Sequence, residues 1–201
     1  MEELKKFEEI CEPDERQKHF ATINESRDEI RPLTLRDLYD AADSIKLHDG
    51  VPDAICSHFE TARNLLVYSW FYYPFNVVAQ LQAFASAEYA LRIRANVNPV
   101  TTKRPPGFKL LLKQAADEGW ITDAGFSRAL DWKLQGMGNI LTATTQRSIN
   151  TYCEALAETL PYLRNRLAHG ENMLHNQGAD FLLICSELIN QLFQPTQTQS
   201  A

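Results

Sequence analysis

Apolar positions through most of the chain recur every three or four residues, which is the spacing of one face of an α-helix. The clearest run follows Pro52, where one face is formed by Ile55, Phe59, Ala62 and Leu66. Alternation of apolar and polar residues with a period of two, which marks a half-buried strand, is nearly absent. The pattern therefore predicts an all-α protein whose helices each bury one apolar face.

Proline, glycine and capping residues divide this pattern into segments. The first expected helix is acidic and covers Glu2–His19, and the second covers Leu35–Leu47 with Thr34 as its N-cap. A long helix begins at Pro52, and its continuation after Pro74 ends near Asn96–Pro99. Later helices are expected over Phe108–Glu118, Asp123–Gln135, Thr145–His169 and Gln177–Phe193. We expect Gly136-Met137-Gly138 to form a turn, and Thr159 to cap a second helical segment beyond a bend at Pro161.

These segments predict three parts of the chain. Residues 51–195 are expected to form a bundle of four to five main helices. An acidic helical N-terminal extension over residues 1–50 precedes the bundle, and residues 196–201 form a flexible tail.

The segment Asn64–Ala87 contains no charged residue and is long enough to span a bilayer. However, Pro74 interrupts it, and Asn76, Gln80 and Gln82 would be costly at membrane depth. We therefore expect a buried helix pair, or one helix kinked at Pro74, and no membrane span.

Charge is distributed unevenly along the chain. The net formal charge is −6, but residues 1–60 hold 8 basic against 16 acidic residues, whereas residues 61–201 hold 12 against 10. An acidic N-terminal part therefore precedes a nearly neutral body. This distribution argues against an extended basic surface for nucleic acid, although the body can still meet a polyanion locally.

The cysteines lie far apart, without any C-x-x-C pair, at Cys11, Cys56, Cys153 and Cys185. Disulfide and metal frameworks need clustered spacings, so reduced thiols in a reducing compartment are expected. The first residues also lack the apolar stretch of a secretory signal. Together these features favour a cytoplasmic protein with no metal site and no cofactor.

The segment Leu163–Gly170 concentrates the candidate chemistry. On a helical wheel its apolar stripe, which faces a core, is formed by Leu160, Leu163 and Leu167. The polar positions point away from that stripe, with Arg164 at the border and the others beyond it: Asn165, Arg166 and His169. One helix face therefore offers an imidazole, an amide and guanidinium groups together.

This set of groups suits a phosphodiester. A guanidinium binds phosphate in a bidentate manner and stays charged as negative charge develops in the transition state. A histidine can exchange a proton near neutral pH, as removal of the proton from a ribose 2′-OH requires. No carboxylate cluster accompanies them, so any cleavage would be metal-independent. The alternative is an ordinary solvated helix end.

The string Arg164-Asn165-Arg166-Leu167-Ala168-His169-Gly170 resembles the Arg-x(4–6)-His motif of the HEPN superfamily (higher eukaryotes and prokaryotes nucleotide-binding), in its form Arg-Asn-x-x-Ala-His-Gly. Weaker similarity lies in Glu88–Arg92 and in the segment Phe108–Asp123. The resemblance covers residues 51–193. It implies an up-and-down helical bundle that dimerises with the motif helices facing each other, so that two Arg/His sets line one cleft.

The resemblance also implies a function. Many such proteins are metal-independent endoribonucleases that cleave single-stranded RNA to 2′,3′-cyclic phosphate ends, in toxin–antitoxin or phage-defence systems. His169 would be the general acid or base, Arg164 would stabilise the phosphate, and Asn165 would orient the pair. The expected partners are a second copy of the chain, RNA or a nucleotide, and an antitoxin protein.

Several roles stay open at this point. Arg166 is either an auxiliary phosphate contact or a solvated residue, and Lys103 and Arg104 are candidates to steer RNA from a proline-rich loop. Glu88 is either the buried partner of an arginine or a surface residue at a helix end. Two other functions are open: a non-catalytic HEPN-like dimer that binds nucleotide, RNA or a partner protein, and a helical adaptor whose acidic extension recruits a partner.

Overall fold

The computed structural model describes residues 3–24, 29–97, 103–134, 149–170 and 177–194. These residues form seven α-helices, short 3-10 helices and one two-stranded sheet. The prediction of an all-α helical bundle is therefore confirmed. No helix in these ranges is long and apolar enough to cross a membrane.

The predicted helix over Glu2–His19 is wrong. The structure has two short 3-10 helices there, Phe7–Glu9 and Glu15–His19. The segment is held in this irregular path by bonds to the turn between the helices Asp53–Tyr68 and Phe75–Arg94. The backbone N–H of Asp14 donates to the carbonyl of Trp70 at 2.9 Å, and the amide of Gln17 donates to the carbonyl of Ser69 at 2.9 Å. These long-range bonds replace those of a regular helix.

A β-hairpin follows, which the search for alternating residues did not predict. Strand β1 (Ala21–Asn24) pairs antiparallel with β2 (Glu29–Pro32), with Ile23 opposite Ile30. Both isoleucines are exposed, and each strand is only four residues long, which is too short for the sustained alternation by which a half-buried strand is predicted. Helix α1 (Leu35–Ser44) then begins at Thr34, as predicted, with a capping box formed by Thr34 and Asp37.

The uncharged segment forms a pair of helices rather than one kinked helix. Helix α2 spans Asp53–Tyr68 and helix α3 spans Phe75–Arg94, with a turn between them. Asn76 and Gln80 are buried on α3, and the amide of Gln80 donates to Asn76 Oδ1 at 3.2 Å. Asn76 and Gln80 thus bond to each other inside the bundle, and the third polar residue of the segment, Gln82, donates to the carbonyl of His58 at 3.1 Å.

Helix α3 is the central helix of the bundle, because it packs against α2, against the last helix and against the helices that carry the later segments. Helix α4 spans Phe108–Asp117. The predicted helix over Asp123–Gln135 is instead a 3-10 turn at Asp123–Gly125 followed by the short helix α5, Ala129–Leu134. Gln135 and the predicted turn Gly136–Gly138 lie outside the described residues.

Helix α6 spans Tyr152–Ala168 without interruption. Its N-cap is Thr151, which forms a capping box with Glu154, so the predicted cap at Thr159 is wrong. Pro161 lies inside the helix and is buried in the core, and this packing offsets the backbone hydrogen bond that a proline removes. Helix α7 spans Gly178–Leu192, close to its predicted bounds. Residues 145–148 and the predicted tail over residues 196–201 lie outside the described residues.

Candidate functional site at the end of helix α6

The local sequence fixes which side of α6 faces solvent. Leu160 and Leu167 are buried in the core, as the wheel predicted. Asn165 and His169 are exposed, and Arg164 lies between these two classes. The helical period alone accounts for this division, because the leucines occupy one stripe and the polar residues the other.

The helix ends at the predicted place. His169 is the C-cap residue of α6, and its backbone N–H donates to the carbonyl of Asn165 at 3.0 Å. Gly170 follows with φ of 84°, the left-handed conformation that glycine adopts without the penalty of a Cβ atom. The helix therefore ends at this point, with the exposed His169 at its tip.

Arg164 is tied to the central helix. Its guanidinium donates from Nη2 to Oε2 of Glu88 on α3, and from Nη1 to the side-chain oxygen of Asn165 at 3.0 Å. The other carboxylate oxygen of Glu88 accepts from Arg92 at 2.6 Å. One carboxylate is therefore shared by two arginines, one from α3 and one from α6.

Glu88 is the buried partner of an arginine, not a surface residue. Its side chain is 6% exposed, whereas those of Arg164 and Arg92 are 32% and 30% exposed. A buried carboxylate needs paired charges and hydrogen bonds to offset its lost hydration. The two guanidiniums supply them, and each keeps about a third of its surface toward solvent.

Arg166 points to a different neighbour. Its Nη1 donates to the hydroxyl of Tyr162 at 3.1 Å, and its guanidinium lies 5.3 Å from the centre of that ring. The tyrosine one turn earlier therefore holds Arg166 along the exposed face of α6.

Comparison of the chain with protein-family models, with curated proteins and with solved structures gives no match.

Some of the predicted site residues come together and others do not. Arg164, Asn165 and Glu88 form one bonded group, and His169 lies one turn beyond Asn165 on the same helix. Among the described residues, no hydrogen bond or ion pair joins Lys103 or Arg104 to this group, and both lie exposed before α4. The part of the chain that the structure describes also contains no group of three or more His, Cys, Asp or Glu side chains placed to hold a metal ion.

Arg92 is the residue of this site that sequence reasoning did not single out. The signal was present, because Glu88 and Arg92 are separated by four positions on a predicted helix, the spacing of an ion pair on one face. The contact of Glu88 with Arg164 spans two helices and had no such local signal. With one carboxylate and two guanidiniums, this group carries a net positive charge within an acidic chain.

Proposed function

We propose that this chain is a HEPN-like, metal-independent endoribonuclease that works as a cytoplasmic homodimer on single-stranded RNA. The observation that carries the proposal is the arrangement at the end of α6. A half-exposed guanidinium, fixed between Glu88 and Asn165, lies on the same helix end as the exposed imidazole of His169.

The chemistry assigned to each group follows from its properties. His169 removes the proton of the ribose 2′-OH or returns a proton to the departing 5′-oxygen. The 2′-oxygen then forms a bond to phosphorus as the bond to the 5′-oxygen breaks, which gives a 2′,3′-cyclic phosphate end. Arg164 stabilises the additional negative charge on the pentavalent phosphate, and Asn165 holds that guanidinium in place.

The role of Glu88 is to position Arg164. An arginine side chain that is fixed before substrate binds loses less conformational freedom when it meets a phosphate. Because Arg92 shares the same carboxylate, the pair still carries a positive charge that attracts the RNA backbone.

A second candidate function is a non-catalytic dimer that binds nucleotide, RNA or a partner protein. The ion pair with Glu88 favours it, since a guanidinium already bound to a carboxylate has fewer donors to offer a transition state. In that case the site still binds an anion but does not cleave. An antitoxin protein is a proposed partner under either function.

The decisive experiment is cleavage of a fluorescent single-stranded RNA in EDTA by the wild type and by Arg164→Ala and His169→Ala. We expect both variants to lose at least a hundredfold in rate while the product of the wild type carries a 2′,3′-cyclic phosphate. Matched controls are Arg128→Ala, which removes another ion-paired arginine, and His19→Ala, which removes another exposed histidine.

The possible outcomes distinguish the two candidate functions. If wild type and controls cleave and the two site variants do not, the nuclease proposal stands. RNA binding without cleavage, lost in Arg164→Ala, supports the non-catalytic dimer. Cleavage that persists in both site variants would falsify the assignment of this site. Growth inhibition on expression, relieved by His169→Ala, tests the proposed role as a toxin or defence effector.

A further inference from the structure

Four side chains follow one line along the outer face of α6, three or four positions apart, so that they lie on successive turns of the helix. They are Tyr162, Asn165, Arg166 and His169. Tyr162 begins this line and is 57% exposed. The chemistry proposed for the site uses the end of the line and leaves the aromatic ring at its start without a role.

The ring of Tyr162 is held in place by Arg166, one turn further along the helix. The guanidinium lies over the ring, 5.3 Å from its centre, and its Nη1 donates to the tyrosine hydroxyl at 3.1 Å. Among the described residues, no aromatic ring packs against Tyr162. A ring that is fixed and exposed in this way loses little conformational freedom when a flat ligand packs against it.

A second pair of this kind shows that the contact between arginine and tyrosine does not by itself define a site. On α1 the guanidinium of Arg36 lies 5.5 Å from the centre of the Tyr39 ring, and Tyr39 is 50% exposed. Tyr162 differs from Tyr39 in its position, because it lies on the same helix face as the imidazole of His169. This position, rather than the contact with Arg166, carries the inference.

The distance between Tyr162 and His169 suits a neighbouring nucleotide of a bound strand. His169 follows Tyr162 by seven positions, which is about 10 Å along the helix axis and nearly the same direction around it. Successive nucleotides of a stacked strand lie about 3.4 Å apart, and those of an extended strand lie further apart. A base on Tyr162 therefore belongs to one of the nearest nucleotides, at most about three from the cleaved bond.

We propose that Tyr162 is a stacking platform for one unpaired base of the RNA, on one side of the cleaved bond. This inference rests on the proposed function, because it assigns a substrate contact to the same site. A base stacks on an exposed aromatic ring through its flat π-surface, which a base paired inside a duplex does not offer. The platform therefore selects single-stranded RNA, and it favours purines because they have the larger surface.

Other roles of the ring are less well supported. A dimer contact centred on Tyr162 is disfavoured because the core of an interface is depleted of charged groups, whereas the residues that follow Tyr162 on its line carry an amide, a guanidinium and an imidazole. An exposed tyrosine without a role is the remaining alternative, and Tyr39 provides the experimental reference for it.

The first test uses the full-length protein and short single-stranded oligonucleotides with one cleavable bond, because every other 2′-OH is replaced by hydrogen. In a series of these substrates the base is removed at each flanking position in turn. For the wild type, we expect removal at one position within three nucleotides of the cleaved bond to raise KM at least tenfold. In Tyr162→Ala the KM of the intact substrate should be raised to the same extent, and removal of the same base should change it less than twofold.

The value of kcat should change much less than KM, because stacking binds the ground state and the transition state alike. Dissociation constants measured on fully 2′-deoxy oligonucleotides give the same comparison without cleavage. A purine at the critical position should bind more tightly than a pyrimidine to the wild type, and this difference should disappear in Tyr162→Ala.

A second test separates a stacking ring from a merely apolar side chain. Tyr162→Phe and Tyr162→Trp keep an aromatic surface, so their KM should stay within threefold of the wild type. Tyr162→Leu keeps an apolar side chain without a ring and should behave like Tyr162→Ala. The matched control is Tyr39→Ala, which removes a ring of similar exposure and should leave KM within twofold of the wild type.

The inference and the proposed function fail in different ways. A wild type that neither binds nor cleaves the oligonucleotides overturns both. Cleavage that is lost in His169→Ala but has an unchanged KM in Tyr162→Ala overturns the platform alone. A normal KM in Tyr162→Leu also overturns it, and so does conversion of a wild-type dimer to a monomer in Tyr162→Ala during analytical ultracentrifugation, because the ring then serves apolar packing or contact with a second copy.

Discussion

The guanidinium of Arg164 on α6 contacts the carboxylate of Glu88 on α3, although the two residues are 76 positions apart. The side chain of Glu88 is 6% exposed, so this contact links the exposed end of α6 to the interior of the central helix. Arg92 reaches the same carboxylate from one turn along α3. Either arginine alone therefore keeps the buried charge paired.

Because the two arginines share one carboxylate, substitutions of Arg92 and Arg164 are predicted to have strongly non-additive effects on the free energy of unfolding. Arg92→Ala and Arg164→Ala should each lower the free energy of unfolding by about 1 kcal/mol, because the other arginine remains with Glu88. The double variant should lose roughly 3–5 kcal/mol, since it leaves an unpaired buried carboxylate. Urea denaturation of the four proteins in a double-mutant cycle measures the coupling.

The control for this cycle is Arg128→Ala, whose pair with Asp180 lies at the surface and should contribute about 0–1 kcal/mol. A double variant whose loss equals the sum of the two single losses would show that the arginines act independently on Glu88. Restoration of the double variant by Glu88→Gln would identify the unpaired carboxylate as the cause.

Attachment of the N-terminal extension is predicted to weaken in acid through Asp14. Burial by itself raises the pKa of this carboxyl, but hydrogen bonds from Arg16 and from the backbone N–H of Tyr73 outweigh it and lower the pKa from 3.8 to about 2. Because the folded pKa lies below that of the unfolded chain, the stabilisation is present above pH 4 and is lost as pH falls toward 2.

Hydrogen exchange at the amides of Asp14 and Tyr73 between pH 6 and pH 2 checks this prediction. Protection of both amides should fall in that window. At pH 6, Asp14→Asn should lower the free energy of unfolding by about 2 kcal/mol at most. Arg31 also holds the pKa of Asp37 well below its usual range. Acid should therefore also lower the hydrogen-exchange protection at the start of α1. Protection that stays constant down to pH 2 would contradict the role of Asp14.

The helices of the body were predictable because their signals are local. The apolar period and the cap at Thr34 need only neighbouring residues. The irregular segment over residues 3–20 was mistaken for a helix because its determinants, such as the bonds of Asp14 and Gln17 to the α2–α3 turn, join distant parts of the chain. Tertiary hydrogen bonds of this kind override the intrinsic helix propensity of a segment.

In the candidate site, too, the features with local signals were predictable and those that depend on contacts between helices were not. The exposed face formed by Asn165 and His169 follows from the helical period, and Gly170 marks the end of the helix by its chemistry. Whether Glu88 is buried or exposed depends on how α3 packs against α6, which one helix's sequence does not determine.

The cysteines are predicted to react with an alkylating reagent in the order of their exposure. Cys11 is exposed, and burial raises the pKa of Cys56. Burial, together with Asp123, raises the pKa of Cys153 to about 12, and burial alone raises the pKa of Cys185. Since the thiolate is the reactive form, Cys11 should be labelled first and the two buried thiols only after unfolding.

Timed labelling with iodoacetamide at pH 8, followed by peptide mass spectrometry, checks this order. Labelling of Cys185 in the folded protein at the rate of Cys11 would contradict the packing of α7.

The backbone of Gly170 is predicted to matter for the site and not only for stability. Its φ of 84° favours glycine, and a Cβ atom added there meets no atom of the described residues within 4 Å. Gly170→Ala should therefore cost only the conformational penalty, about 1 kcal/mol. Gly119→Ala is the matched control, since Gly119 has φ of 69° and equally open surroundings.

The two variants should lose the same stability in urea but differ at the site, because only Gly170 directly follows His169. Under the proposed function, Gly170→Ala lowers RNA cleavage at least tenfold, Gly119→Ala leaves it unchanged, and Gly170→Asn restores part of it, since asparagine tolerates the left-handed conformation. The NMR signal of the His169 imidazole gives a readout independent of activity, and it should move only in Gly170→Ala. Equal effects of both glycine variants on cleavage would mean that stability, and not the placement of His169 at the helix end, limits the reaction.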